Sequence, residues 1–134
     1  MRITIETIPH ASQKYPTCGD WRYAPDGTLE IKVSDLGDEF KETLIAVHEL
    51  IEVQLLKQRG IGAVQVDSFD VAFEAARPKD NTDEPGDDPS APYKREHCIA
   101  TGVERILAAE FGIDWKLYEQ QIDALVHPMD AHHD

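Results

Sequence analysis

The chain has 134 residues, of which 41% are hydrophobic and 29% are charged, and its formal net charge at pH 7 is −13. This length and composition predict a single globular domain that buries its own hydrophobic core. The acidic balance argues against binding to a nucleic-acid backbone or to an anionic membrane surface, because both attract clustered Lys and Arg.

The amino-terminal part of the chain predicts a small antiparallel sheet of three strands. Alternating apolar residues predict a first strand over residues 2–8. Residues 20–24 and 28–34 predict a β-hairpin, because the Pro-Asp-Gly sequence between them supplies typical turn residues. Apolar and polar residues alternate over residues 28–34, and we interpret this pattern as a half-exposed strand at an edge of the sheet.

The remainder of the chain predicts two long helices and two shorter ones. The spacing of apolar residues places these helices at residues 39–59, 67–76, 93–110 and 115–126. A loop over residues 77–92, with four prolines and five acids, separates the middle two helices. We therefore expect an α+β fold in which the sheet packs on a core of two long helices. One domain spans residues 1–126, and a mobile carboxy-terminal tail follows over residues 127–134.

The first long helix carries the sequence His48-Glu49-x-x-Glu52, a variant of the helical H-E-x-x-H zinc signature. His48 and Glu52 share a stripe with apolar residues and therefore point toward the core. A buried carboxylate without a partner is costly, and a divalent ion is the simplest partner. We expect Zn²⁺, with other divalent ions as alternatives. Glu49 lies one position around the helix, where a general base would stand beside metal-bound water.

We expect a third metal ligand from the second long helix, where Glu96 and His97 lie near the apolar face. His97 is favoured because imidazole is the commonest metal-binding side chain, and Glu96 fits nearly as well by position. Glu104 is expected either as a further ligand or as an acceptor that orients a histidine. Tyr93 is a candidate hydroxyl at the edge of the site. Three protein ligands leave a fourth position open, which is typical of catalytic zinc sites.

A small sheet, a helix with His48-Glu49-x-x-Glu52 and a second ligand-bearing helix together resemble a minimal zincin metallopeptidase. The resemblance covers residues 1–110. It implies a hydrolase with Glu49 as the general base, and an edge strand over residues 28–34 that pairs with an extended peptide. The chain departs from that family at Glu52, where zincins carry a second histidine.

The whole chain also resembles small uncharacterised proteins of bacteriophages and prophages. The segments that carry this resemblance are residues 66–70, 85–89 and 92–97. It implies no function. We expect a cytoplasmic protein, in the host cell if it is viral, because no apolar run reaches transmembrane length and no signal-peptide pattern is present. Cys18 and Cys98 are expected to be reduced thiols.

A second interpretation of the same residues remains open. His48 and Glu52 could form a buried pair without metal, or an ion pair with Arg95 or Arg105. Glu104 could be an ordinary partner of Arg105 or of a lysine elsewhere. The chain would then be a non-enzymatic, acidic binding or inhibitor protein with a structural metal or a metal-free polar cluster, and its partner would be a peptide or protein.

Other acids and histidines have simpler interpretations. The acids of the loop over residues 77–92 fit no calcium-loop spacing, and we expect a solvated loop. His127, His132 and His133 follow the last predicted helix, where they could bind metal adventitiously. The sequence leaves the substrate and the oligomeric state open.

Overall fold

A computed structural model of the chain describes residues 1–81 and 83–128, and it has the α+β architecture that the sequence predicts. Its three strands are β1 (Ile3–Ile8), β2 (Gly19–Tyr23) and β3 (Leu29–Ser34). The turn between β2 and β3 places Gly27 at φ 90°, a conformation that glycine adopts at little cost. β2 and β3 thus form the predicted hairpin.

The sheet is mixed, with the strand order β1-β3-β2, and the prediction of an antiparallel sheet was wrong for β1. β1 runs parallel to β3, so the strand predicted at the edge, residues 28–34, lies in the centre. The alternation of apolar and polar residues shows only that one face of a strand is covered. Central strands and edge strands can both have this pattern. The outward-facing charges of β3 indicate its central position more clearly, because each has a partner on a different neighbouring strand. Lys32 pairs with Glu6 of β1 at 2.7 Å, and Glu30 pairs with Arg22 of β2 at 2.6 Å.

Two long and two shorter helices follow the sheet, as predicted. They are α1 (Glu39–Arg59), α2 (Ala63–Ala76), α3 (Lys94–Glu110) and α4 (Trp115–Val126). Asp38 caps the amino terminus of α1, and Gly60 ends the helix at φ 74°. α2 begins ahead of its predicted start, because the side chain of Gln65 accepts a hydrogen bond from the Gly62 amide.

The hydrophobic core lies between the sheet and the helices. α1 packs against β2, β3 and α3, which places one face of α1 in the middle of the molecule. The principal buried apolar residues are Leu29, Ile31, Val33, Leu44, Ile45, Val53, Ala108 and Tyr118. Burial of each large side chain contributes about 1.5–3 kcal/mol, so this core holds α1 and α3 at a defined separation.

The segment between α2 and α3 returns across the beginning of α3. It contains a short 3-10 helix at Pro85–Asp87. Arg77 holds the segment in place by donating hydrogen bonds to the backbone oxygens of Asn81 and Asp83. A smaller apolar cluster of Leu56, Val66, Ala91 and Tyr93 joins this segment to α1 and α2.

The described chain ends at Pro128, just beyond α4. The amide of His127 donates to the backbone oxygen of Asp123 at 2.8 Å. The rest of the predicted tail, residues 129–134 with His132 and His133, lies outside the described residues. No helix in the described part of the chain is long and apolar enough to cross a membrane.

Candidate metal centre

Three side chains from two helices meet in the interior of the protein. His48 and Glu52 project from successive turns of α1, and His97 projects from the first turn of α3. Oε2 of Glu52 lies 2.9 Å from Nε2 of His48 and 3.2 Å from Nδ1 of His97. The exposed fractions are 9% for His48 and 6% each for Glu52 and His97. Both rings therefore converge on one carboxylate oxygen that is shielded from bulk water.

The other nitrogen of His48 is held by a second carboxylate. Nδ1 of His48 lies 2.8 Å from Oε1 of Glu104, and the Tyr118 hydroxyl donates to Oε2 of Glu104 at 2.7 Å. A carboxylate in this position fixes the tautomer and orientation of a metal-binding histidine. Glu104 thereby orients the ring so that Nε2 of His48 points to Glu52.

His97 is also approached by carboxylates on its outer side. Nε2 of His97 lies 3.0 Å from Oε2 of Glu84 and 3.5 Å from Oδ1 of Asp87. Gly86 sits between these acids with its backbone against the ring, since a Cβ there would lie 2.3 Å from Cγ of His97. The 3-10 helix thus encloses the ring, and only glycine permits so close an approach.

The electrostatics of the cluster favour protonated rings while no ion is bound. Burial alone would lower the pKa of His48, but hydrogen bonds to Glu104 and Glu52 outweigh it and raise the pKa to about 10. Surrounding carboxylates likewise overcome burial and raise the pKa of His97. Burial raises the pKa of Glu52, yet its hydrogen bonds to the two histidines prevail and lower it. A metal ion at this position would therefore have to displace protons.

Glu49 lies beside the cluster but outside its hydrogen-bond network. Its side chain is half-buried and faces β2, where a Cβ on Gly19 would lie 2.7 Å from Oε1 of Glu49. Burial and the neighbouring Glu52 raise the pKa of this carboxyl. Glu49 is thus the carboxylate of the HExxE sequence that remains available to a ligand.

A cavity of about 310 Å³ opens beside the cluster and is lined by parts of β2, α1, α2, α4 and the 3-10 helix. Acidic side chains dominate its walls, and Arg77 is the one Arg or Lys among the described lining residues. Burial raises the pKa of Asp70, one of these acids, to about 7. The walls include Asp20, Glu49, Asp67, Asp70, Glu84 and Asp87.

Comparisons of the chain with family models, curated proteins and solved structures found no match. The resemblances to zincins and to phage proteins therefore stay predictions.

The donor atoms of the cluster form a geometrically possible ligand group for a metal ion such as zinc. Two ligand atoms of a tetrahedral zinc ion lie about 3.3 Å apart, given zinc–ligand distances of about 2.0–2.1 Å. The observed separations of 2.9 and 3.2 Å are close to that value. Two imidazole nitrogens and one carboxylate oxygen also match the donor set of two histidines and one glutamate found in catalytic zinc sites.

The other residues named in the sequence analysis include Glu96, Tyr93 and Arg105, and each of these has a partner outside the cluster. Glu96 is 1% exposed and pairs with Arg59, so the structure brings His97 and not Glu96 to the two α1 residues. Tyr93 donates a hydrogen bond to Asp70, and its ring lies edge-on to that of His97. Arg105, proposed above as a metal-free partner, instead stacks over Trp115.

The sequence did not indicate that Glu84, Asp87 and Tyr118 would lie around the cluster. The sequence predicts a solvated loop for Glu84 and Asp87, and their side chains are half exposed, yet both contact His97. The one signal in the sequence that could have placed Glu84 and Asp87 near His97 is their position just before the helix that carries it. Tyr118 lies on α4, and no local pattern connects it with Glu104.

Proposed function

We propose that the protein binds a divalent metal ion, zinc in the first instance, through His48, Glu52 and His97, and acts as a zincin-like hydrolase. The observation that carries this proposal is the convergence of two buried rings on one Glu52 oxygen. The outer nitrogen of His48 is held by Glu104, which is the arrangement expected around a metal-binding histidine.

The chain's own groups have distinct roles in this proposal. A bound ion would supply Lewis acidity, which makes water more acidic and polarises a substrate carbonyl. Glu49 takes the proton of the attacking water and passes it to the leaving amine. Its raised pKa suits both steps, because a base and an acid of one reaction work best near the ambient pH. Glu104 accepts the Nδ1–H of His48 and so orients the ring with Nε2 toward the ion position.

A peptide is the substrate class that we propose, because an outer strand of the sheet lies beside Glu49. β3 is flanked on both sides, so the outer strand that can receive an extended chain beside Glu49 is β2. Side chains already occupy part of this edge. Thr17 Oγ1 accepts from the Gly19 amide at 3.3 Å, and Asp20 accepts from the Trp21 amide at 2.9 Å. A bound peptide would replace these contacts with its own backbone groups.

The direct test compares wild-type protein with Glu49→Gln on a pool of unstructured peptides, with cleavage followed by mass spectrometry and metal content measured in parallel. Glu49→Gln should keep its metal and lose about 100-fold or more of the cleavage rate, because it removes the proton acceptor. Glu110→Gln, at an exposed acid near the end of α3, is the matched control and should cleave as wild type does. Undiminished cleavage by Glu49→Gln would exclude Glu49 as the base.

One observation favours a second candidate function. Carboxylates surround both histidines, and they raise the pKa of each ring enough to hold it as imidazolium without any ion. The chain would then be an acidic binding or inhibitor protein for a basic partner, with a metal-free polar cluster. Chelation would leave its melting temperature unchanged, whereas removal of a bound ion would lower it.

For either function we propose a cytoplasmic location, consistent with the free thiols Cys18 and Cys98.

A further inference from the structure

The outer nitrogen of His97 is a buried polar atom that the inner cluster leaves unexplained. The His97 side chain is only 8% exposed, and Nε2 makes no hydrogen bond with the described residues. Carboxylate oxygens of Glu84 and Asp87 nevertheless lie 3.0 and 3.5 Å away, without the alignment of an N–H···O bond. The N–H at Nε2 is thus buried without an aligned acceptor, and a ligand at this position would satisfy a polar atom that the described residues leave unsatisfied.

The three groups have the spacing of a metal site. One atom each from Glu84, Asp87 and His97 lies within 4.8 Å of the other two. Their separations of 3.0 and 3.5 Å bracket the distance of about 3.3 Å between two ligands of one tetrahedral ion. Two carboxylates and one imidazole form a harder donor set than the inner cluster, which suits zinc or manganese.

The backbone holds these acids against the ring. Gly86 touches the imidazole between them, and Lys94 donates to the backbone oxygen of Asp87 at 2.8 Å. The side chains of Glu84 and Asp87 are 53% and 55% exposed. An ion bound there would keep coordination positions open to water and would exchange with solvent.

We propose that Glu84, Asp87 and Nε2 of His97 form a second, outer divalent-cation site, so that the His97 imidazole is shared between two ions. The proposal rests on the proposed function, because the inner ion at Nδ1 of His97 is the one described above. Binding of the outer ion breaks the Nε2–H bond, and the freed lone pair forms the bond to the ion. The proton leaves to solvent, and no electron is transferred.

The test is a zinc titration of the chelator-stripped full chain by calorimetry, with His132→Ala and His133→Ala in every protein to remove two other imidazoles. Wild type should bind about two equivalents, and the second should release about one proton. Glu84→Gln/Asp87→Asn should bind about one equivalent. Asp80→Asn/Asp83→Asn carries the same charge change in the same loop and should still bind two. All four acids are exposed, so the fold should survive.

The outcomes separate the outer site from the inner one. A single wild-type equivalent that persists in Glu84→Gln/Asp87→Asn would overturn the outer site and leave the inner centre standing. Absence of zinc binding by wild type would overturn both. Loss of the second equivalent in the Asp80→Asn/Asp83→Asn control as well would mean diffuse binding by acids, and it would overturn the outer site. A second equivalent bound without proton release would overturn the shared imidazole.

Discussion

The protonation of His48 distinguishes the metal-bound protein from the metal-free one. Its pKa is raised from 6.5 to about 10 in the folded, ion-free protein, because hydrogen bonds to Glu104 and Glu52 outweigh burial. A raised histidine pKa contributes stability that is complete below the unfolded value and is lost as the pH rises through the folded value. Metal binding instead requires the neutral ring, so protons and the ion compete for His48.

We therefore predict opposite effects of pH on the stripped and zinc-loaded proteins. The stability of the stripped protein should fall as the pH rises from about 6.5 toward 10, because over this range the unfolded chain loses the His48 proton that the folded protein keeps. The increase in melting temperature on adding zinc should grow over the same range. Thermal unfolding between about pH 6 and pH 9, with and without zinc, measures both. A zinc effect that is constant or absent across this range would contradict the prediction.

Asp70 gives a second prediction for a single residue. Burial raises its pKa from 3.8 to about 7, although the Tyr93 hydroxyl donates to it. The folded state thus binds the proton more tightly than the unfolded state, and stability is lost as the pH rises from about 4 to 7. Asp70→Asn keeps an acceptor for Tyr93 and removes this loss, so its melting temperature should exceed that of wild type by about 2–4 °C at pH 8. It should approach wild type near pH 4, and a lower melting temperature at pH 8 would contradict the prediction.

Among the secondary-structure elements, the 3-10 helix at Pro85–Asp87 most directly shapes the site. A Cβ on Gly86 would lie 2.3–2.6 Å from three ring atoms of His97, and that ring is held by the surrounding carboxylates. Gly86→Ala should displace the ring and weaken zinc affinity by at least about 10-fold, which corresponds to 1.4 kcal/mol. Calorimetric titration measures the affinity.

Gly102 provides the matched control on α3, because nothing lies within 4 Å of the position of its Cβ. Gly102→Ala should leave zinc affinity unchanged and stabilise the helix by up to about 1 kcal/mol. Equal zinc affinities for Gly86→Ala and wild type would show that the 3-10 helix does not position His97.

The sequence predicted the elements better than their arrangement. The spacing of apolar residues predicted α1 and placed His48 and Glu52 on its inner face, because this signal is local. The position of β3 between β1 and β2 depends on long-range pairing. An alternating strand pattern does not specify that pairing, which is why β1 was predicted to be antiparallel.

Across the whole molecule, the site depends on parts of the chain that are far apart in sequence. The sequence selected α3 as the source of a third ligand and favoured His97 for its imidazole, but position alone did not separate His97 from Glu96, because both lie near the inner face. Packing decides between them, since Arg59 at the end of α1 pairs with Glu96. Residues 83–87 lie against His97 because of the path that the loop takes, and no periodic pattern in the sequence predicts that path.

The charge of the molecule gives a further prediction about substrates. The net charge is −13, and acids dominate the cavity that contains Glu49. Peptides rich in Lys and Arg should therefore be cleaved with a higher kcat/KM than acidic peptides of equal length, by about 10-fold or more at low salt. The ratio should fall as ionic strength rises, because salt screens the attraction. Peptide cleavage at two salt concentrations measures this, and a preference for acidic peptides would contradict it.

The metal content of the purified protein tests the central claim most directly. Elemental analysis should be made on wild type and Glu52→Gln, both with His132→Ala and His133→Ala, after dialysis without chelator. Glu52→Gln keeps the size of the side chain and removes the carboxylate on which both rings converge. Wild type should retain about one equivalent or more of a divalent transition metal, and Glu52→Gln should retain about one equivalent less, because an inner ion needs that carboxylate. Less than about half an equivalent in wild type, or equal contents in the two proteins, would contradict a metal centre at His48, Glu52 and His97.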